Sequence, residues 1–440
     1  MTSPLMISDR KGSKILVRLQ MFLISFALFG FGCSRHEPVF SPNQLLTHRM
    51  ESELQADLNS IQSQVQVALV DFFGSPDQPH WPASIASDPR WKSMADSAEL
   101  EFAAGPVQRD KKKVERGLFR KHCAQCHGIT GDGLGPAAAL LNPYPRDFRR
   151  GSFKFKSTPQ GAKPTHSDLV RTIEQGIPGT SMPSMANLAK QTHYDNAISK
   201  LAGYVRFLSI RGEVERKIMI DLVRDIDIDK GETLYDPLLK ASDPTQFSIQ
   251  TSRIDAVIQR VANTWIEPPV PEALPVSPLR FDVTQLTEKS DRDLFLNSAT
   301  RGSQLFQGEI AACWQCHGKD GAGQGKLIDF DEWTKDWTIR AGIDPKDPKQ
   351  WKPLRKIGLL KPTPSVARNL HLGVFRAGSS PESIYRTIIH GIDGTPMPAA
   401  ARTPSVKNGL NEEQIWDLVN YCLSLSALNL KRIPEANHAE

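Results

Sequence analysis

Apolar positions fall into a few distinct patterns along the chain. Residues 21–32 (MFLISFALFGFG) form an apolar run of 12, preceded by Arg10, Lys11, Lys14 and Arg18 and closely followed by Arg35. A basic stretch ahead of a short apolar run reads as an export signal. A membrane-spanning helix would need about 20 such residues, and no later stretch is that apolar. Leu46, Met50, Leu54, Leu58, Ile61, Val65, Leu69 and Phe72 then recur in steps of three and four, which predicts one amphipathic helix ending at Gly74-Ser75-Pro76. That helix either docks a partner or packs on the domain that follows it. Two further helical patterns occupy 213–226 and 254–265, and the proline-dense stretch Pro268, Pro269, Pro271, Pro275 and Pro278 reads as a semi-rigid linker.

The strongest pattern is a repeat. The segment LVRTIEQGIPGTSMP (169–183) aligns with IYRTIIHGIDGTPMP (384–398) at nine identical positions of 15. Upstream, Arg146-Asp147-Phe148 with Gly151 and Phe153 echoes Arg368-Asn369-Leu370 with Gly373 and Phe375, and the chain carries a duplicated domain. Each copy closes on an amphipathic helix: Ile198, Leu201, Tyr204, Val205 and Leu208 match Ile415, Leu418, Tyr421, Cys422 and Leu425. Gly117 and Gly302 are placed to let the first and last helices of each copy cross closely. The predicted organisation is a signal peptide (1–33), a helical extension (34–100), a first repeat (101–212), a helical and Pro-rich linker (213–294), a second repeat (295–428) and a tail (429–440).

Composition narrows the function. With 54 Lys and Arg against 49 Asp and Glu, the net charge of +5 over 440 residues gives no support to nucleic-acid binding. Four of the six cysteines fall in two identical motifs, Cys123-Ala-Gln-Cys126-His127 and Cys313-Trp-Gln-Cys316-His317. From this composition only about 0.002 matches to C-x-x-C-H are expected by chance, and the motif reads as c-type haem attachment. Thiols three residues apart share one face of a helical turn and can reach the two vinyl groups of one haem, while the histidine takes an axial position on its iron. A disulfide would not require the histidine. A thioredoxin-like site needs a surrounding βαβ pattern, which is not seen, and a zinc site would have to join pairs 190 residues apart.

Gly128, Gly131, Gly133 and Gly135 repeat as Gly318, Gly321, Gly323 and Gly325, in register with the cysteines. Met182 and Met397 lie in G-T-x-M-P, 55 and 80 residues after the histidines. Thioether sulfur is a soft axial ligand that raises haem potential, and the two methionines are the candidate sixth ligands. Met185 is a second candidate in the first copy, and Cys422 reads as a small buried hydrophobe.

Each repeat resembles a class I cytochrome c domain, and tandem domains of this kind resemble dihaem cytochromes c and the haem-c subunits of cbb3-type oxidases and related respiratory complexes. The resemblance covers the two repeats. It implies a mainly α fold with two tandem class I cytochrome c domains, two covalently bound haem c groups, low-spin iron held by His127 with Met182 and by His317 with Met397, and single-electron transfer to redox partner proteins rather than catalysis. A dihaem peroxidase is the alternative; it needs an iron with a site open to peroxide, which two intact methionine loops oppose. Arg146 and Arg368, with Arg171 and Arg386, either neutralise haem propionates or make ordinary salt bridges. The basic run Arg146, Arg149, Arg150, Lys154 and Lys156 either steers an acidic partner or is a solvated face. About 25 extra residues within 326–361 (Trp333, Trp337, Trp351) either shield a haem edge, offer a partner surface, or pack locally. Gly30-Phe31-Gly32-Cys33 resembles a bacterial lipoprotein cleavage site, which implies a lipid anchor on Cys33, membrane attachment and location on the periplasmic side.

Overall fold

The computed structural model describes residues 37–429, apart from 92–93, 95–96, 110, 112–114, 189, 191–195, 228–229, 267, 403–404 and 406–408. The export signal, the Cys33 anchor and residues 430–440 of the tail lie outside the described residues. The chain is mainly helical; the one sheet among the described residues is the two-stranded hairpin β1 (Gln108–Arg109) and β2 (Glu115–Arg116).

The single helix expected over 46–72 is two, α1 (Gln44–Leu54) and α2 (Asn59–Phe73). Asp57 Oδ1 accepts from the Asn59 backbone N–H at 2.8 Å and Gln55 turns left-handed, a local hydrogen-bonded alternative that interrupts the helical ladder. Conversely, the closing helix of the first repeat and the pattern at 213–226 are continuous: α3 (Ala197–Lys217) runs on through 218–225. α3 is enclosed on nearly every side. Leu201, Tyr204, Phe207, Leu208, Ile210 and Val214 are buried together with Met50, Val65, Leu69, Trp81 and Trp91 from the extension and with Ile254, Ile258 and Trp265 of α4 (Pro244–Ile266). Extension, first repeat and α4 therefore share one core, and the extension packs on the domain that follows it.

The second repeat has its own core, built on α5 (Lys289–Gln307) crossing α6 (Glu412–Asn429). Gly302 makes the crossing possible, since a Cβ there would lie 2.0 Å from the Asp417 carbonyl oxygen. The first repeat does not copy this device. Its leading helix is split by the hairpin into Ser97–Ala104 and Leu118–His122, and Gly117 serves instead as a left-handed turn against Pro106. The proline-dense stretch is a strap rather than a free linker. Glu272 is held by Arg402 at 2.8 Å and its carbonyl by Arg386 at 2.9 Å, while Leu279, Phe281 and Leu286 are buried in the second core.

The extra segment in the second repeat folds as a small third cluster. Trp337, Trp351, Leu354 and Leu359 pack with Leu45 of α1, so the insertion belongs to its own repeat by sequence and to the extension by packing. Asp336, on the short helix Glu332–Trp337, binds Arg49 at 2.8 Å and Arg216 at 2.7 Å. Trp333 Nε1 donates to Asp147 at 3.3 Å, and Arg150 donates to the Glu332 carbonyl at 2.7 Å. The insertion clasps the two repeats together.

Candidate haem sites

Each C-x-x-C-H motif forms one helical turn. His127 N donates to the Cys123 carbonyl at 2.9 Å, and His317 N to Cys313 at 2.9 Å. The chain then doubles back under the turn: Gly133 N to His127 O (2.9 Å) and Gly135 N to Cys126 O (3.1 Å) repeat as Gly323 N to His317 O (2.7 Å) and Gly325 N to Cys316 O (3.1 Å). A Cβ on Gly135 or Gly325 would lie 2.4 or 2.2 Å from a motif carbonyl, which is why glycine stands there.

The histidine geometry is the same in both copies. His127 Nδ1 lies 3.1 Å from the Arg146 carbonyl oxygen and His317 Nδ1 lies 3.2 Å from that of Arg368. A carbonyl can only accept, so Nδ1 carries the proton and Nε2 keeps its lone pair for a metal. Burial lowers the pKa of both imidazoles and favours the neutral, ligating form. Phe148 stacks on His127 with centroids 4.7 Å apart, fixing the ring further. Burial pushes the Cys123 thiol up to about 12 and Cys313 up to about 11, the reverse of the low pKa that a redox-active C-x-x-C requires. None of the five cysteines described is in a disulfide. The two motifs are not drawn together into a zinc-type cluster; no group of three or more His, Cys, Asp or Glu able to hold a metal occurs among the described residues.

The methionine loops are superimposable in their hydrogen bonds. Ile177 N donates to Met182 O at 3.1 Å, Thr180 Oγ1 to Ile177 O at 2.8 Å, and Met182 N to Thr180 Oγ1 at 3.1 Å. The second loop repeats these as Ile392 to Met397 (3.1 Å), Thr395 to Ile392 (2.8 Å) and Met397 to Thr395 (3.2 Å). The threonine hydroxyl thus bridges the turn that presents each methionine, and both methionines are half-buried. Met185 occupies the position of Ala400 and anchors its loop by donating to Ile173 O at 3.2 Å, as Ala400 does to Ile388 O at 3.0 Å. Cys422 is buried in the second core, as its helix position implied.

The arginines divide. Arg171 pairs with Asp168 at 2.9 Å, and Arg386 holds the Glu272 carbonyl, so both have protein partners. Arg146 Nη2 and Arg368 Nε are buried with no hydrogen-bond partner. Buried donors of this kind call for an acceptor, and the two carboxylates that haem c carries would supply one. The basic run is neither a solvated face nor a free steering patch. Arg149 is bound to Asp147 at 2.9 Å, Lys156 to Asp393 at 2.9 Å, and Arg150 to the Glu332 carbonyl. Sequence reasoning missed Asp393, Glu332 and Asp336, because they lie 180 residues or more from their partners or in an insertion without a repeat counterpart. Asp147 is two residues from Arg149, and only the burial of that pair was hidden.

The donor set therefore fits haem c at both sites: two thiols and a lone-pair imidazole on one turn, a thioether on a braced loop, and a buried guanidinium nitrogen without a partner nearby. Residues 299–426 match the family model for cytochrome c, and residues 113–205 match that for cytochrome c oxidase, cbb3-type, subunit III. No curated protein matches the chain. A solved chain of the Kuenenia stuttgartiensis reducing HAO-like protein complex is similar at 20% identity with a TM-score of 0.41, over 73% of this chain and 98% of that one. The repeated turns and the two family matches in tandem make this mainly helical chain a multi-domain c-type cytochrome.

Proposed function

We propose that the protein is a dihaem electron carrier, or an electron-transferring subunit of a membrane oxidoreductase complex, working in respiration on the outer side of the cytoplasmic membrane. In this reading Cys123 and Cys126 bind one haem, and Cys313 and Cys316 the other; His127 with Met182 and His317 with Met397 are the axial pairs. Haem c supplies a one-electron iron couple when bound. The chain's own residues do the rest. The Arg146 and Arg368 carbonyls hold the imidazoles in one tautomer, the Thr180 and Thr395 bridges hold the thioethers, and soft sulfur raises the potential.

The observation that carries the reading is the duplicated pairing of a carbonyl-oriented histidine with a threonine-braced methionine, which equips both sites alike for six-coordinate iron. A peroxidase needs one site that differs. The match to a cbb3-type oxidase subunit supports a partner within a respiratory complex, and the basic and apolar pattern of residues 1–32, followed by Cys33, supports export and a lipid anchor. The test is mass spectrometry for two added haems, combined with redox-titrated optical and EPR spectroscopy of Met182→Ala and Met397→Ala. Each variant is expected to lower the potential and alter the spin state of one haem only. A wild-type protein with one high-spin haem that turns over peroxide would overturn the carrier role.

A further inference from the structure

Arg146, whose Nη2 has no partner, and Arg368, whose Nε has none although its Nη2 donates to the Val374 carbonyl at 3.2 Å, each reach toward the other's domain. A Cβ on Gly179, which opens the Met182 loop of the first domain, would lie 3.0 Å from Arg368 Nη2 of the second. A Cβ on Gly394, which opens the Met397 loop of the second domain, would lie 3.7 Å from Arg146 Nη1 of the first. The contact is thus exchanged in both directions, and in both it is the glycine of G-T-x-M-P that leaves room for the guanidinium. Each arginine meanwhile holds its own domain's histidine through its carbonyl oxygen.

Carboxylates near this boundary are already engaged. Asp147 is held by Arg149, Asp393 by Lys156 and by the Gly161 backbone N–H at 3.0 Å, and Asp331 caps the Glu332–Trp337 helix through Thr334 N at 2.9 Å, with Lys154 at 3.8 Å. Arg376 adds a third buried Nε without a partner. The charges of Asp331, Asp147 and Asp393 act on Arg146 through space, yet its Nη2 keeps no hydrogen-bond partner. Buried cationic donors left without a bonded acceptor are costly unless a bound anion faces them.

We propose that Arg146 and Arg368 act in trans: each guanidinium neutralises the carboxylates of the haem held by the other domain, and so sets that haem's potential. This deepens the dihaem reading and rests on it. One residue then touches both centres, its carbonyl orienting the histidine ligand of one and its side chain facing the propionate edge of the other.

The test uses the full-length holoprotein. Met397→His moves the second haem to a much lower potential and Met182→His the first, so the two couples titrate separately. In the Met397→His background, Arg368→Gln is expected to raise the Fe(III)/Fe(II) ratio of the first haem at fixed poise by threefold to tenfold, about 30 to 60 mV for a one-electron couple. The second haem should move less. Arg146→Gln in the Met182→His background should do the converse. Arg368→Lys, which keeps the charge, should hold the ratio within threefold and answers for variants that assemble poorly. Shifts confined to the haem of the arginine's own domain, no shift at all, or an equal loss with lysine would each overturn the proposal while leaving the axial assignments standing. If the Met→His changes themselves fail to separate two couples, the dihaem His/Met reading falls and takes this inference with it.

Discussion

Asp336 offers the sharpest test of how the two domains are held. Its Oδ1 accepts from Arg49 at 2.8 Å and from Arg216 Nη2 at 3.0 Å, and its Oδ2 accepts from Arg216 Nη1 at 2.7 Å. Arg150 and Arg340 lie at 3.7 and 3.5 Å. The change Asp336→Asn keeps the shape and removes the charge, leaving four guanidiniums around a neutral amide. Removing one partner of a buried ion pair costs about 3–5 kcal/mol. That range must be discounted here. Arg340 is 45% exposed and contributes almost nothing, Arg216 at 21% recovers some hydration, and Arg49 keeps Glu53 as a second partner at 3.1 Å. The expected loss is therefore about 2–3 kcal/mol. Urea unfolding of the holoprotein, followed by tryptophan fluorescence and haem absorbance, should show a lower midpoint at unchanged slope. The insertion should become the first site of proteolysis. A loss below about 0.5 kcal/mol, within the range of ordinary surface substitutions, would refute the clasp.

Three further outcomes follow from the same geometry. Burial alone would raise the Asp336 pKa, but the charge and hydrogen bonds of Arg216, with Arg150 and Arg49 behind them, hold it below 3.8. Such a carboxyl contributes stability that is fully present above its unfolded value and lost as pH falls through the lower folded one, so acid unfolding followed by proteolysis should open the clasp only below 3.8, and Asp336→Asn should lack that component. Gly302→Ala forces a Cβ to 2.0 Å from a backbone oxygen; overpacking of about 1–3 kcal/mol or more is expected, read as a lower thermal midpoint of the second domain. Gly325→Ala meets Cys316 O at 2.2 Å and should yield protein with one haem by mass, missing from the second domain.

What the sequence made legible is what short-range chemistry specifies. C-x-x-C-H must be one helical turn, G-T-x-M-P must be a tight loop, and a nine-of-15 match means the loop is built twice. The structure places both sets in identical turns because each turn closes on hydrogen bonds within a few residues. Periodicity also found the apolar faces. It failed at element ends, merging α1 with α2 and splitting α3 from its continuation, since a single Asx-type bond can interrupt a helix without disturbing its apolar spacing.

Only the tertiary structure decided where the charges go. Arg149 and Lys156 read as surface cations, yet they are buried against Asp147 and Asp393. The proline-dense stretch reads as a spacer, yet Phe281 and Leu286 beside it complete a core. Trp337 and Trp351 carry no periodic signal, and their partner Leu45 lies some 300 residues earlier. The physical reason is common to all of these. Hydrophobic spacing records which side of a segment avoids water, but not which segment covers it, and an ion pair's worth depends on burial that exists only after the domains have closed on one another.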